Sequence, residues 1–409
     1  MNPVIVIPSY WALTVGPTQI GEEGIYDFAT PIAKPLPELQ TCLESLESVR
    51  GVLRVVILLV APPEQEESAR ARVDGICRQH RDLNPLVIGS REARYVRDSL
   101  RRIVPRMAND DAVGLRGYGA IRNLGLAVAA VLGHDVVVFL DDDNVALDEN
   151  FLIDAVYGLG MENRQSKLVL AKTGRFIDES GSPYADETNH RWCDRWWPKE
   201  AEFNQLMRRM LEGRRRISRA NDIYHGCFAL HVQAFSRVAF DPQITRGEAL
   251  DYLINLRMQG IDVWFDRDWL VRRTLSEPPS EASKFLQDVY RWTYEKHKVA
   301  SSKGRIGTVR VTPGSLAPYP RGFVGEDLEG RISKTALARA VAGPERSSYW
   351  WIWRHGRKEA EAWAKGLTGS YAKFLTFWPR IIASLWNDGS LGRKLLSSGE
   401  PAWLDGEDE

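Results

Sequence analysis

The sequence predicts an α/β fold: a mixed, mostly parallel sheet flanked by helices, with a helical extension at the C-terminus. Three observations carry that reading. Residues 4–7 and 55–60 are short, continuous, largely β-branched runs of the kind found in strands buried on both faces of a parallel sheet. Between them, Leu36, Leu39, Leu43 and Leu46 recur at helical spacing within 36–49, which makes the opening a β-α-β unit. Beyond about Pro313 the pattern changes to polar loops and Trp-rich helices.

Taken in order, 64–80 reads as a polar-faced helix and 85–89 as a further strand. The alanine-rich stretch 119–132 is a helix that delivers the chain to a strand at 135–140, and Asp141, Asp142, Asp143 and Asn144 follow that strand directly. A strand is expected at 167–174, and the dense basic segment 208–219 reads as a solvated helix or loop. Strands at 227–232 and 263–266 bracket a helix at 248–259. Helices at 334–341, 345–367 and 370–386 form the extension, which ends in an acidic tail. The expected organisation is a sheet domain over 1–312, with halves 1–145 and 146–312, and an extension over 313–409.

With 409 residues, 44% hydrophobic and 26% charged, the chain has the composition of an ordered globular protein. Lys plus Arg and Asp plus Glu are both 54, so bulk charge gives no support for a nucleic-acid partner. Cys42, Cys77, Cys193 and Cys227 are scattered without a CxxC pair, which argues against a zinc ribbon or a disulfide scaffold and suits a reducing cytoplasm. The N-terminus lacks a basic leader and the longest apolar runs are too short to span a bilayer, so a cytoplasmic location is expected. The stretch FLTFWPRIIASLW (374–386) has an apolar face compatible with peripheral membrane contact, but docking on its own domain is the favoured reading.

Three adjacent acids repel one another, and a surface strand gains nothing from them. At the carboxyl end of a strand in an open α/β sheet, where ligands gather, a divalent cation relieves the conflict. Mg2+ or Mn2+ is served by oxygen ligands and substrate phosphates. Alternation along an extended segment points Asp141 and Asp143 the same way, with Asp143 on the metal and Asp141 on a ribose or a second metal contact. The competing reading is an acidic turn capping the next helix, which is the favoured role for Asp148.

With these motifs the sequence resembles the GT-A glycosyltransferases, the group that includes the family 2 enzymes. VIVIPSY resembles their first nucleotide-binding strand, Gly119-Ala120-Ile121-Arg122-Asn123-Leu124-Gly125 their G-x-x-R-N-x-G segment, and Asp141-Asp142-Asp143 their D-x-D signature. Arg246-Gly247-Glu248-Ala249-Leu250-Asp251-Tyr252, with Arg257 and Gly260, resembles their acceptor-side segment. The four motifs span about 4–270. The resemblance implies a Rossmann-like GT-A domain whose first half binds a nucleotide diphosphate sugar and whose second half shapes the acceptor pocket. It also implies metal-dependent transfer of a hexose to a hydroxyl on a small molecule, glycan or lipid-linked acceptor.

On that resemblance the donor is held by Pro8, Ser9, Tyr10, Arg122, Asn123, Asp141 and Asp142, with Arg272 and Arg273 available to the diphosphate. The metal falls to Asp141 and Asp143, and His297 is the candidate for the histidine that many relatives recruit. An inverting reaction needs a base, for which Glu248 is the nearest carboxylate and Asp251 lies one turn on. His225, Trp196 and Trp197 are candidates for the acceptor, since indole faces suit sugar rings; a loop anchored by buried tryptophans is the plainer reading. Two departures stand out. No acid ends the strand before Ala61-Pro62-Pro63, and Ala249 replaces a common aspartate. They keep open a catalytically silent nucleotide-sugar-binding protein, alongside sugar-phosphate nucleotidyl transfer. The stereochemistry and the oligomeric state, a homo-oligomer included, stay open too.

Overall fold

The computed structural model describes residues 1–13, 29–105, 110–188, 191–213, 215–224, 226–274, 280–302 and 308–401. The expected β-α-β opening is present. β1 (Pro3–Ala12) pairs with the two-residue β2 (Thr30–Pro31), α1 (Glu38–Leu46) crosses over, and β3 (Val55–Val60) returns parallel to β1. All six residues of β3 are buried, as a continuous apolar run requires. α2 (Glu66–Cys77) leads to β4 (Pro85–Ile88), and α3 (Ser90–Ile103) to α4 (Tyr118–Val131), which feeds β5 (Val136–Phe139).

The second half starts with β6 (Asn144–Ala146) and α5 (Phe151–Val156). β7 (Ala171–Ile177) begins later than the strand expected at 167–174. The basic segment at 208–219 divides between the end of α6 (Lys199–Leu211) and β8 (Ile217–Arg219), because β8 pairs antiparallel with the next long strand. β9 (Phe228–His231), the short α7 (Val232–Phe235), α8 (Glu248–Met258) and β10 (Val263–Arg273) complete the sheet. β10 runs well past the expected 263–266, through a bulge between Phe265 and Leu270, and so carries Arg272 and Arg273 to its end.

The order is β4-β3-β1-β5-β9-β7-β10-β6, with β2 on β1 and β8 on β10. β1, β3, β4 and β5 pair parallel, while β9 is antiparallel to both β5 and β7. Ligand-bearing loops therefore collect beyond the ends of β1 and β5.

α9 (Glu281–Ser301) follows β10, and the extension consists of α10 (Leu328–Ala342), α11 (Arg346–Trp351), a π turn (Ile352–Gly356), α12 (Arg357–Gly366), α13 (Ser370–Leu385) and α14 (Gly389–Gly399). It shares its apolar core with the sheet: Phe374, Trp378, Ile381, Ile382 and Leu385 belong to the same buried cluster as Leu124, Val128 and Phe235. Trp378 donates its indole N–H to the Phe235 carbonyl at 2.6 Å, and Tyr371 its hydroxyl to the Ala239 carbonyl at 2.8 Å. The FLTFWPRIIASLW stretch thus docks on its own domain. Among the described residues no helix is long and apolar enough to cross a membrane. The acidic tail expected after Pro401 lies outside the described residues.

Candidate functional site

β1 and β5 run side by side, so Ser9 near the end of β1 and the turn after β5 meet at one edge of the sheet. Residues 141–144 form a tight turn closed by the Asn144 N–H donating to the Asp141 carbonyl at 3.0 Å. The extended alternation expected for Asp141 and Asp143 is therefore replaced by a turn, and the three carboxylates diverge to three sets of partners. Asp142 accepts from the Ser9 hydroxyl at 2.7 Å, and Ser9 in turn accepts from the Trp11 indole at 2.8 Å. Asp143 accepts from the Asn144 amide at 2.8 Å and faces the Arg273 guanidinium at 3.3 Å. Asp141 accepts from Arg122 at 2.7 Å.

Arg122 is the hub. It is 5% exposed, donates through Nη2 to Asp141 and through Nε to Glu248 at 3.2 Å, and sits over the Phe139 ring at 5.0 Å. Its Nη1 is buried and finds no hydrogen-bond partner among the described residues. Burial works against its charge, but Asp141 and Glu248 more than offset this and raise its pKa. The glycine opening this helix segment is a packing requirement: a Cβ on Gly119 would lie 2.1 Å from the Asp241 carbonyl oxygen. At the start of α8, Gly247 has φ +67, a left-handed conformation that favours glycine, and it turns Glu248 back toward Arg122.

The electrostatics follow from this inventory. Among the described residues, Asp141, Asp142, Asp143 and Glu248 gather four carboxyl groups beside two guanidinium groups, Arg122 and Arg273. Burial, reinforced by Asp143, pushes Asp142 well above the usual carboxylate range. Burial raises Asp143 to about 6; Arg273 opposes the rise and Asp141 adds to it. An all-oxygen, carboxyl-rich set suits a hard divalent cation. Among the described residues, no three His, Cys, Asp or Glu side chains are placed together to hold a metal ion by themselves.

The other expected residues separate clearly. Pro8 and Tyr10 lie on β1, Pro8 buried in register with Leu58, and Tyr10 half-buried with its ring 6.1 Å edge-on from Tyr118. Arg273 reaches the acidic turn, whereas Arg272, one residue earlier, is exposed.

Several expectations are corrected. Asn123 is a structural clamp: its amide donates to the Ala112 and Phe240 carbonyls and accepts from the Phe240 N–H, so no polar group is left for a donor sugar. Asp251 is fully buried, with Lys298 at 2.5 Å and the Asn255 amide at 2.8 Å, and is sealed away from any acceptor. His297 pairs with Glu361 of α12 at 3.0 Å, not with the aspartate turn. Trp197 is 4% exposed and wedged edge-on between Phe285 and Phe323, both 4.9 Å away. Trp196 stays half-buried with Arg195 over its ring at 3.8 Å. His225 lies outside the described residues. Asp148 accepts from the Asn150 N–H at 2.7 Å in the turn before α5, but the N-cap of that helix is Asn150, without a side-chain cap bond, so Asp148 is not the N-cap expected of it.

Sequence reasoning missed Tyr224, whose hydroxyl donates to the Asn144 side-chain carbonyl at 2.8 Å and so orients the amide that holds Asp143. Nothing in its NDIYHG surroundings marks it.

No family model matches this chain, and no curated protein sequence matches it. Solved structures similar to it include a mannosyltransferase from Pyrobaculum calidifontis in complex with GDP-Man and Mn2+, 15% identical with a TM-score of 0.45, covering 94% of this chain and 86% of that one. GalNAc-T7 with UDP, GalNAc and Mn2+ is 12% identical with a TM-score of 0.41, over 84% of this chain and 58% of that one. Glucosyl-3-phosphoglycerate synthase from Mycobacterium tuberculosis, with Mn2+, UDP and glucosyl-3-phosphoglycerate, is 13% identical with a TM-score of 0.35, over 68% of this chain and 73% of that one.

Proposed function

We propose that this chain is a GT-A-type glycosyltransferase that moves a sugar from a nucleotide diphosphate sugar to a hydroxyl acceptor. The observation that carries the reading is the acidic turn at 141–144, placed at the edge where β1 and β5 end, with Arg122 and Arg273 beside it. Asp143 and Asp141 are the residues that would hold Mg2+ or Mn2+. When bound there, the cation would neutralise charge on the departing nucleoside diphosphate.

The chain's own residues do the rest. Ser9 fixes Asp142 and keeps it out of the donor set. Asn144, held by Tyr224, keeps the Asp143 carboxylate oriented. Arg122 binds Asp141 on the donor side and Glu248 on the acceptor side, so the two halves of the site share one guanidinium. Glu248 is the surviving candidate for the base. It sits at the start of α8 beside Arg122, and in this reading it accepts the proton of the acceptor hydroxyl. In this proposal residues 1–145 bind the donor, 146–312 shape the acceptor side, and the extension from 313 buttresses both.

The test is incubation with a panel of nucleotide diphosphate sugars, following release of the nucleoside diphosphate with Mn2+ and with chelator. Metal-dependent hydrolysis of one donor supports the reading. Failure to consume any donor under either condition would leave a silent fold of the same shape.

A further inference from the structure

Away from the acidic turn, the outer face of the extension carries a second unusual surface. In the helix run through α11, the π turn and α12, Tyr349, Ile352, Gly356 and Ala360 point inward. The opposite side presents Trp350, Trp351 and Trp353, which are 41%, 40% and 37% exposed. Indoles are costly to leave in water, and three in four residues exceed the ordinary scatter of exposed apolar side chains. The π turn adds a residue to the helical repeat here and broadens the outward face. α10 packs alongside and adds Leu337 and Val341, exposed on one stripe with Lys334.

The charge around these rings leans positive. Six Lys or Arg residues and three acids, Glu345, Glu359 and Glu361, lie within 334–361, in a chain whose formal net charge is zero. Glu345 is turned away, accepting from the Ala282 N–H at 3.1 Å. Arg339 and Arg357 are matched by Asp194 and Glu329. Lys334, Arg346, Arg354 and Lys358 are exposed and form no salt bridge among the described residues. Arg354 stacks over the Trp350 ring at 5.0 Å, and Trp353 lies 5.1 Å from Trp350, so cation and indole form one unit.

We infer that this face docks on an anionic lipid surface. Indoles settle where an apolar body and a polar N–H meet a headgroup layer, and unpaired cations next to them are attracted to anionic lipid. The core of a protein–protein interface, by contrast, is depleted of lysine and other charged groups. The inference stands apart from the transfer reaction, because no residue of the acidic turn takes part in it.

The experiment is co-sedimentation of the full chain with vesicles of equal parts phosphatidylcholine and phosphatidylglycerol, and with vesicles of phosphatidylcholine alone. The wild type should pellet with the anionic vesicles only, and less at high salt. The triple variant Trp350→Ser, Trp351→Ser, Trp353→Ser and the double variant Arg354→Glu, Lys358→Glu should each lose at least about tenfold in partitioning. A wild type that stays in solution with anionic vesicles overturns the inference, whatever the fate of the variants. So does binding equal to wild type in both variants, or a wild type that forms a dimer broken by the tryptophan variant while ignoring vesicles.

Discussion

Removing the guanidinium at Arg122 should expose how much of this site depends on one buried hub. Arg122→Met keeps a long apolar stem and deletes the charge. The Arg122 side chain is 6% exposed and Glu248 is 2% exposed, so the loss breaks a buried ion pair; Asp141, at 28%, retains water and suffers less. Breaking a buried pair by removing one partner costs about 3–5 kcal/mol, and the contact with the Phe139 ring adds up to about 1 kcal/mol. The expected destabilisation is therefore about 4 kcal/mol, read by urea unfolding followed by tryptophan fluorescence and far-ultraviolet circular dichroism. Adding Glu248→Gln should recover part of it, since a neutral amide is easier to bury than a carboxylate that has lost its guanidinium. The reasoning fails if Arg122→Met lies within about 1 kcal/mol of wild type, or if the two substitutions simply add.

Two further outcomes test the corrected assignments. Asp251→Asn should cost about 2–4 kcal/mol, because an amide N–H would face the Lys298 ammonium or the Asn255 amide, yet the folded variant should keep its donor hydrolysis rate; a normal fold with lost turnover would return Asp251 to the catalytic machinery. Glu295 is fully buried against Arg291, and burial lifts its carboxyl from 4.5 to about 7. The folded protein then holds that proton more tightly than the unfolded chain, so the group's favourable contribution is present below its ordinary value and is lost as pH rises toward about 7, a swing of up to about 3 kcal/mol. Glu295→Gln should flatten that slope in unfolding measurements across the window, and an unchanged slope would contradict it.

The parts of the fold that were legible are those where one physical demand dominates. β3 must be apolar throughout because both its faces are covered, and the acidic turn was readable because three carboxylates after a strand need a reason. α3 went unseen although Ala93, Val96, Leu100 and Ile103 keep a helical spacing, because Arg and acidic residues fill the rest of it. α14 was hidden by its Gly and Ser content, and only its docking on β4 and α3 explains its existence.

The site divides the same way. Residue types and order predicted which charges gather, but not which hydrogen bonds fix them. Asp251 and Glu248 look equivalent along α8, yet α9 supplies Lys298 to one and α4 supplies Arg122 to the other. Arg272 and Arg273 differ only by the alternation of a strand whose length depended on its bulge. Trp197 was lost to the core because the extension brings Phe323 against it, a contact no local pattern announces.

The most direct test of the metal–diphosphate site is titration calorimetry of UDP-, GDP-, ADP- and dTDP-sugars with and without Mn2+, on the wild type and on Asp143→Asn. The account predicts that one donor binds the wild type only with Mn2+, and that Asp143→Asn weakens that binding at least about tenfold while remaining folded. Donor binding that ignores both the metal and Asp143, or no binding by the wild type at all, would contradict it.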